Sequence, residues 1–271
     1  MNSILVPTDF SSYAEKAFEL AVAIATKTKA AITLLHITTL DVETEDSNNM
    51  ERQKTAAEQK LDAIKQKVND NIIINTQIAN GSVVPSILEA ITTFAADLVI
   101  MGTKGATGLK KAVVGSNTAN LIGKAEVPVL SIPAGYTNTD IKEIVLAINQ
   151  TEDLENLAPL FKLADALQAH VRLVIFTGEK HDAATYITDR RAIVGLQKKL
   201  EDLYGQTGLE VEHLSGANFQ QTLQSYITEN NIDLLAMITH KRGALEGLFN
   251  RSITKEMAYH ATVPMLCLHH Q

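Results

Sequence analysis

The chain repeats itself, and no other feature constrains its fold as tightly. DLVIMG at 97–102 lines up with DLLAMI at 233–238, at an offset of 136 residues. The same offset carries Ser116 and Thr118 onto Ser252 and Thr254, and VPVLSI from Val127 onto VPMLCL from Val263. Nearer the start, ILVPTDFS from Ile4 matches IVLAINQT from Ile144, so the duplication spans each half with small loop changes. A repeat on this scale calls for two copies of one domain before any element is assigned. At roughly 100–200 residues per domain, 271 residues suit two. The join near Tyr136–Asp140, in YTNTD, gives domains over 1–138 and 139–271.

Within the first half, apolar runs alternate with helical periodicity. ILVP reads as a short buried strand, after which Ser12 and Glu15 offer a capping box. Ala14, Ala17, Phe18, Ala21, Ile24 and Ala25 then recur at spacings of three and four, one apolar face of a helix. The strand AITLLHI follows, then a polar stretch over 41–49 and a helix from about Met50 to Val68 with Ala57, Leu61, Ile64 and Val68 on one face. The remainder reads as the strand IIINTQI, a helix through Ile87 and Ile91, the strand DLVIM, a glycine-rich segment, a helix after Ser116 and the strand VPVLSI. Strands apolar on both faces, separated by amphipathic helices, specify a parallel sheet covered on both sides. Five strands per half therefore predict an α/β fold of two tandem, doubly wound, five-stranded parallel-sheet domains. Such sheets bind ligands beyond the carboxyl ends of their strands, where strand order reverses.

Composition narrows the partners. A net charge of −7, with no basic cluster beyond pairs, argues against nucleic acid. MNSILVPTDF shows no basic region followed by an apolar stretch, and no run approaches the ~18 apolar residues of a spanning helix. The expectation is a cytoplasmic protein with no membrane partner. Cys267, the single cysteine, lies in the apolar run VPMLCL and reads as a buried structural thiol.

Two segments fall at strand carboxyl ends: Pro7-Thr8-Asp9, and the long segment that starts at Gly102. In the latter, Gly102, Gly105 and Gly115 are spaced G-x2-G-x9-G and followed at once by Ser116. Glycine permits close backbone approach, and a Gly-Ser pair opening a helix presents N–H groups and a hydroxyl to an anion. No G-x4-G-K-[ST] occurs, and no G-x-G-x-x-G follows the first strand, so P-loop and dinucleotide readings fail.

These residues together resemble the universal stress protein family in its tandem form. ILVPTDFS, LLHI on the second strand, and G-x2-G-x9-GSNT before a closing VPVLSI carry the resemblance over nearly the whole chain. It implies Rossmann-like, adenine nucleotide alpha hydrolase-like domains and a site for ATP, ADP or AMP. Carried over by position, it puts Pro7, Thr8 and Asp9 near the adenosine, with the Asp9 carboxylate on a polar edge of ribose or base. Ile37 would touch adenine through its main chain, and Met101 and Gly102 would flank the ribose. Gly105, Gly115, Ser116, Asn117 and Thr118 would hold the phosphates, with magnesium or manganese on them. Family dimers commonly join through their last strands, so the two halves are expected to pair as an intramolecular pseudo-dimer through Val127–Ile132 and Val263–Leu268, with a homodimer as a further option.

The second half departs from the pattern. Gly102, Gly105 and Gly115 correspond to Ile238, Lys241 and Arg251, and Asp9 to Asn149. Side chains there take the space phosphates would need, so only the first half is expected to bind. Plainer readings also exist. Asp9 suits a helix cap, the glycine-rich segment suits a surface loop, and Lys104, Lys110 and Lys111 suit a solvated face as well as phosphate. His260, His269 and His270 fit no metal-ligand spacing, and His36 reads as a packed strand histidine. Ser116 has no G-x-S-x-G context for a nucleophile. ATP pyrophosphatases of related fold carry a serine-glycine-glycine-x-aspartate-serine loop where this chain has PTDFSS. The function expected is a stress-response or regulatory binder of adenine nucleotide, with slow ATP hydrolysis at most. A structural dimerisation module would leave the glycines unexplained.

Overall fold

The computed structural model describes residues 1–38, 47–68, 71–103, 115–148, 154–177, 183–205, 209–239, 257 and 261–269. The chain divides into two compact units, Met1–Thr139 and Asp140–Gln271.

The first unit runs β1 (Ser3–Thr8), α1 (Ser12–Thr28), β2 (Ala31–Thr38), α2 (Ser47–Lys65), β3 (Ile74–Asn80), α3 (Val83–Thr93), β4 (Leu98–Gly102), α4 (Ser116–Ile122) and β5 (Val129–Ile132). Its strands lie in the order β3-β2-β1-β4-β5, each pair parallel. The second unit runs β6 (Glu143–Ile148), a 3-10 turn (Leu154–Leu157), α5 (Ala158–Leu167), β7 (His170–Thr177), α6 (Ala183–Tyr204), β8 (Glu210–Ser215), α7 (Phe219–Glu229), β9 (Leu234–Thr239) and β10 (Met265–His269). Its order, β8-β7-β6-β9-β10, is the same winding, again all parallel. The sequence expectation of doubly wound parallel sheets holds in both.

The central strands read as unbroken apolar runs because helices cover both faces. Ile4, Leu5 and Val6 of β1, and Leu98, Val99 and Ile100 of β4, are fully buried, as are Ile144, Val145 and Leu146 of β6 and Leu234, Leu235 and Ala236 of β9. Helix α1 buries the face its periodicity specifies: Ala14, Ala17, Phe18, Ala21, Ile24 and Ala25, with Leu20 added. The expected capping box does not form. Ser11, not Ser12, caps α1, its Oγ accepting from the Ala14 N–H at 3.3 Å, and Glu15 instead pairs with Lys67 at 3.2 Å. Strand β3 begins at Ile74, not at Ile72 as the sequence suggests. It is mostly exposed and lies at the outer end of its unit's strand order, so it is not apolar on both faces. Helix α2 starts at Ser47 and ends at Lys65, before Val68; Ala57 and Leu61 are buried while Ile64 is half-buried.

The repeat extends to single hydrogen bonds. Asp97 Oδ2 accepts from the N–H groups of Asn2 and Ser3, and Asp233 Oδ2 accepts from those of Lys142 (2.8 Å) and Glu143 (3.0 Å). Each aspartate thus clasps the start of its unit's first strand from the residue before β4 or β9. Left-handed residues recur too: Lys29 and Gln168 after α1 and α5, Ala95 and Asn231 after α3 and α7.

The second unit has a polar network at places where the first has small residues. Arg172 stands where the first unit has Thr33, and its guanidinium lies 3.0 Å from Glu143 and 3.7 Å from Glu210. Tyr226, at the place of Ala90, donates to Glu212 at 2.7 Å. Burial first, and then the bond to and charge of Glu212, push the Tyr226 phenol up to about 12. Cys267 is buried, as expected, and burial pushes its thiol up. Among the described residues no helix is long and apolar enough to cross a membrane.

Candidate functional site

In the first unit the strand order reverses between β1 and β4, which are neighbours. Connections leaving their carboxyl ends go to opposite sides of the sheet, so a crevice opens there in any fold of this winding. The two segments singled out in the sequence leave from those two ends.

At the end of β1, Pro7 and Thr8 are buried, and Asp9 just beyond it is exposed. Phe10 follows in the left-handed region, at φ 64°. Thr8 Oγ1 accepts from the Phe10 N–H at 3.1 Å and Asp9 Oδ1 from the Ser11 N–H at 3.0 Å, so two successive side chains close the turn on the backbone that follows them. His36 in β2 pairs in register with Thr8, and its Nδ1 lies 2.8 Å from the Thr8 carbonyl oxygen. A carbonyl can only accept, so Nδ1 carries the hydrogen. The Phe10 and His36 rings stack with centroids 4.3 Å apart, and the Lys60 ammonium of α2 lies 5.0 Å from the Phe10 centroid. His36 is thus a half-buried strand histidine, packed on Phe10 and bonded to the end of β1. Sequence reasoning missed this link. Its signal was the register, which sets a histidine beside the strand carrying Pro7-Thr8-Asp9.

At the end of β4, Met101 is buried and Gly102 half-buried. A Cβ on Gly102 would lie 2.8 Å from the Tyr13 carbonyl oxygen, because the first turn of α1 rests on this strand end. That need for glycine is one of packing, a reason the sequence did not disclose. Gly115 donates from its N–H to the Thr103 carbonyl at 2.5 Å, which returns the chain to β4 where α4 begins. Among the described residues, a Cβ on Gly115 would meet that same oxygen alone, at 3.4 Å. Ser116 and Asn117 are exposed, whereas Thr118 is buried with its hydroxyl donating to the Gly102 carbonyl at 3.0 Å. Ile37 is half-buried in β2 beside Ala79 of β3, two strands from β4.

The structure therefore brings Asp9, Phe10, Gly102, Gly115, Ser116 and Asn117 to one end of two adjacent strands. Gly105, Lys104, Lys110 and Lys111 lie outside the described residues, as do Asn149, Lys241, Arg251, Ser252, Thr254, His260 and His270. In the second unit Ile238 is buried at the place of Gly102. Among the described residues no group of three or more His, Cys, Asp or Glu is arranged to hold a metal ion.

The fold defines two tandem doubly wound α/β domains, and the first brings Asp9 and Gly115–Asn117 to its switch point. The universal stress protein family model matches the chain twice, over residues 1–133 and 141–269. The chain belongs to the universal stress protein family, in two-domain form. A universal stress protein of Methanocaldococcus jannaschii is 29% identical over 150 residues, covering 48% of this chain and 93% of that protein. A Staphylococcus aureus relative named for the same family is 26% identical over 163 residues, covering 57% and 97%. Among solved structures, a universal stress protein from Archaeoglobus fulgidus superposes with a TM-score of 0.70 at 19% identity, covering 98% of this chain and 95% of that one, a likeness of fold.

Proposed function

We propose that the first unit binds one adenine nucleotide, ATP or its ADP or AMP products, in the crevice between the ends of β1 and β4, and that the protein acts as a stress-response or regulatory binder. The observation that carries this is the convergence of the Asp9 turn and the Gly115-Ser116 segment on adjacent strand ends at the switch point. Exposed Asp9 would meet a polar edge of the nucleoside. The N–H groups from Gly115 onward and the exposed Ser116 hydroxyl would meet phosphate oxygens, with a divalent cation on the phosphates.

Chemistry at this site is expected to be slow. The loop after β1 reads PTDFSS rather than the serine-glycine-glycine-x-aspartate-serine loop of ATP pyrophosphatases, and Ser116 has no G-x-S-x-G context. Turnover of ATP with magnesium should therefore fall far below the ~10 per second usual for enzymes.

The test is the nucleotide content of gently purified protein, read by mass spectrometry after denaturation, together with calorimetric titration by ATP. One nucleotide per chain, weakened tenfold or more by Asp9→Ala, is the expected result. A protein that is empty as purified and also fails to bind ATP would overturn the proposal.

A further inference from the structure

The two units build the same strand pair with different residues at its end. In the first, Thr8 pairs in register with His36; in the second the same pairing joins Ile148 to Ile175. Phe10 aligns with Gln150. The fold therefore does not require the His36 bond to the Thr8 carbonyl or the stack on Phe10, since β6 and β7 form a parallel pair without them. The three residues are present together in the unit that retains Asp9 and the glycine spacing, and replaced together in the unit that does not.

The contacts show what the trio can do. His36 Nδ1–H holds the Thr8 carbonyl, Thr8 Oγ1 holds the Phe10 N–H, and the His36 ring holds the Phe10 ring. Asp9 lies between the two residues so fixed. Phe10 pays for this turn with a φ of 64°, where a side chain is disfavoured, so the turn needs restraint from outside itself.

We propose that His36 is a positioning residue for the nucleotide site: through Thr8 and Phe10 it fixes the turn that aims the Asp9 carboxylate. This rests on the nucleotide-binding reading above. The ring does not touch the nucleotide in this role; it pre-organises a carboxylate that does, so its loss lowers affinity by letting the turn relax.

The test is calorimetric titration of the full chain with ATP for wild type, His36→Leu, His36→Asn, Phe10→Leu, Asp9→Asn and the Asp9→Asn/His36→Leu double variant, with thermal melting of each. Loss of one restraining hydrogen bond should weaken Kd about fivefold to tenfold in His36→Leu. His36→Asn, whose amide N–H can replace Nδ1–H, should recover to within about threefold. Phe10→Leu, which keeps the carbonyl bond, supplies a second folded variant and should also weaken binding. If His36 acts through Asp9, the double variant should bind no more weakly than Asp9→Asn alone. Wild-type affinity in His36→Leu, no recovery in His36→Asn, or additive losses in the double variant would each overturn the positioning role while leaving the nucleotide site standing. A wild type that binds no ATP would overturn both.

Discussion

Thr118 Oγ1 donates to the carbonyl oxygen of Gly102 at 3.0 Å, so the hydroxyl at the start of α4 is committed to the end of β4. With Thr118 2% exposed, this bond holds the returning end of the glycine-rich segment on the sheet. Thr118→Val keeps the shape and removes the donor. It should cost about 1–2 kcal/mol in urea denaturation, whereas Thr118→Ser should stay close to wild type. Equal stability of all three would show that the hydroxyl is not used this way.

Two glycines of one motif should respond differently to a methyl group. Gly102→Ala sets a Cβ against the backbone of Tyr13, and a helix must move to admit it. A loss of about 1–3 kcal/mol is expected, the usual range for overpacking. Gly115 has a φ of −58°, open to any residue, and its Cβ would make an ordinary contact. Gly115→Ala should therefore change the melting temperature little. The reverse order of stabilities would mean that α1 does not rest on β4 as described.

Tyr226 gives the second unit a stability that depends on alkaline pH. Its phenol titrates at about 10 when exposed and is pushed up to about 12 in the fold. The folded state therefore holds the proton that the unfolded chain gives up. That contribution is complete below pH 10 and is lost as pH rises through about 12. Tyr226→Phe removes the bond to Glu212, costing about 1 kcal/mol at pH 8. The gap between variant and wild type should narrow as pH rises from 10 to 12, in paired denaturation curves. A gap independent of pH would contradict the shift.

The sequence disclosed the winding because each central strand is buried on both faces and each helix carries a single apolar face; Ile4–Val6 and Ala14–Ala25 announce their roles by spacing alone. It was less informative where tertiary packing decides. Nothing in IIINTQI says that the strand lies at the outer end of the order, and nothing in SSYAE says that Ser11 rather than Ser12 caps the helix. The site was half legible. Asp9 and the glycine spacing stand out as motifs, but the packing reason for Gly102 lies in Tyr13, 89 residues earlier. The His36 link needs the register of β1 and β2, which only pairing supplies. Asp97 and Asp233 are the converse case: the repeat marked both positions, and the structure gave the reason, a clasp on the first strand of each unit.

Binding should be asymmetric: one adenine nucleotide per chain, held by the first unit. Copying the second unit into the first, Gly115→Arg replaces an open position beside Ser116 with a long side chain. Because a Cβ there meets, among the described residues, the Thr103 carbonyl alone and at 3.4 Å, the variant should fold, and its melting temperature checks that. Any loss of ATP binding is then due to filling of the crevice, even though the added charge would favour phosphate. Space should outweigh charge, since a guanidinium in the phosphate position cannot coexist with the phosphate. The reverse change, Arg251→Gly, should leave the stoichiometry at one, because Ile238, Lys241 and Asn149 still depart from the pattern. Titration calorimetry of wild type and both variants decides the matter. Two equivalent sites in the wild type, or full affinity in folded Gly115→Arg, would place the phosphates somewhere other than the end of β4.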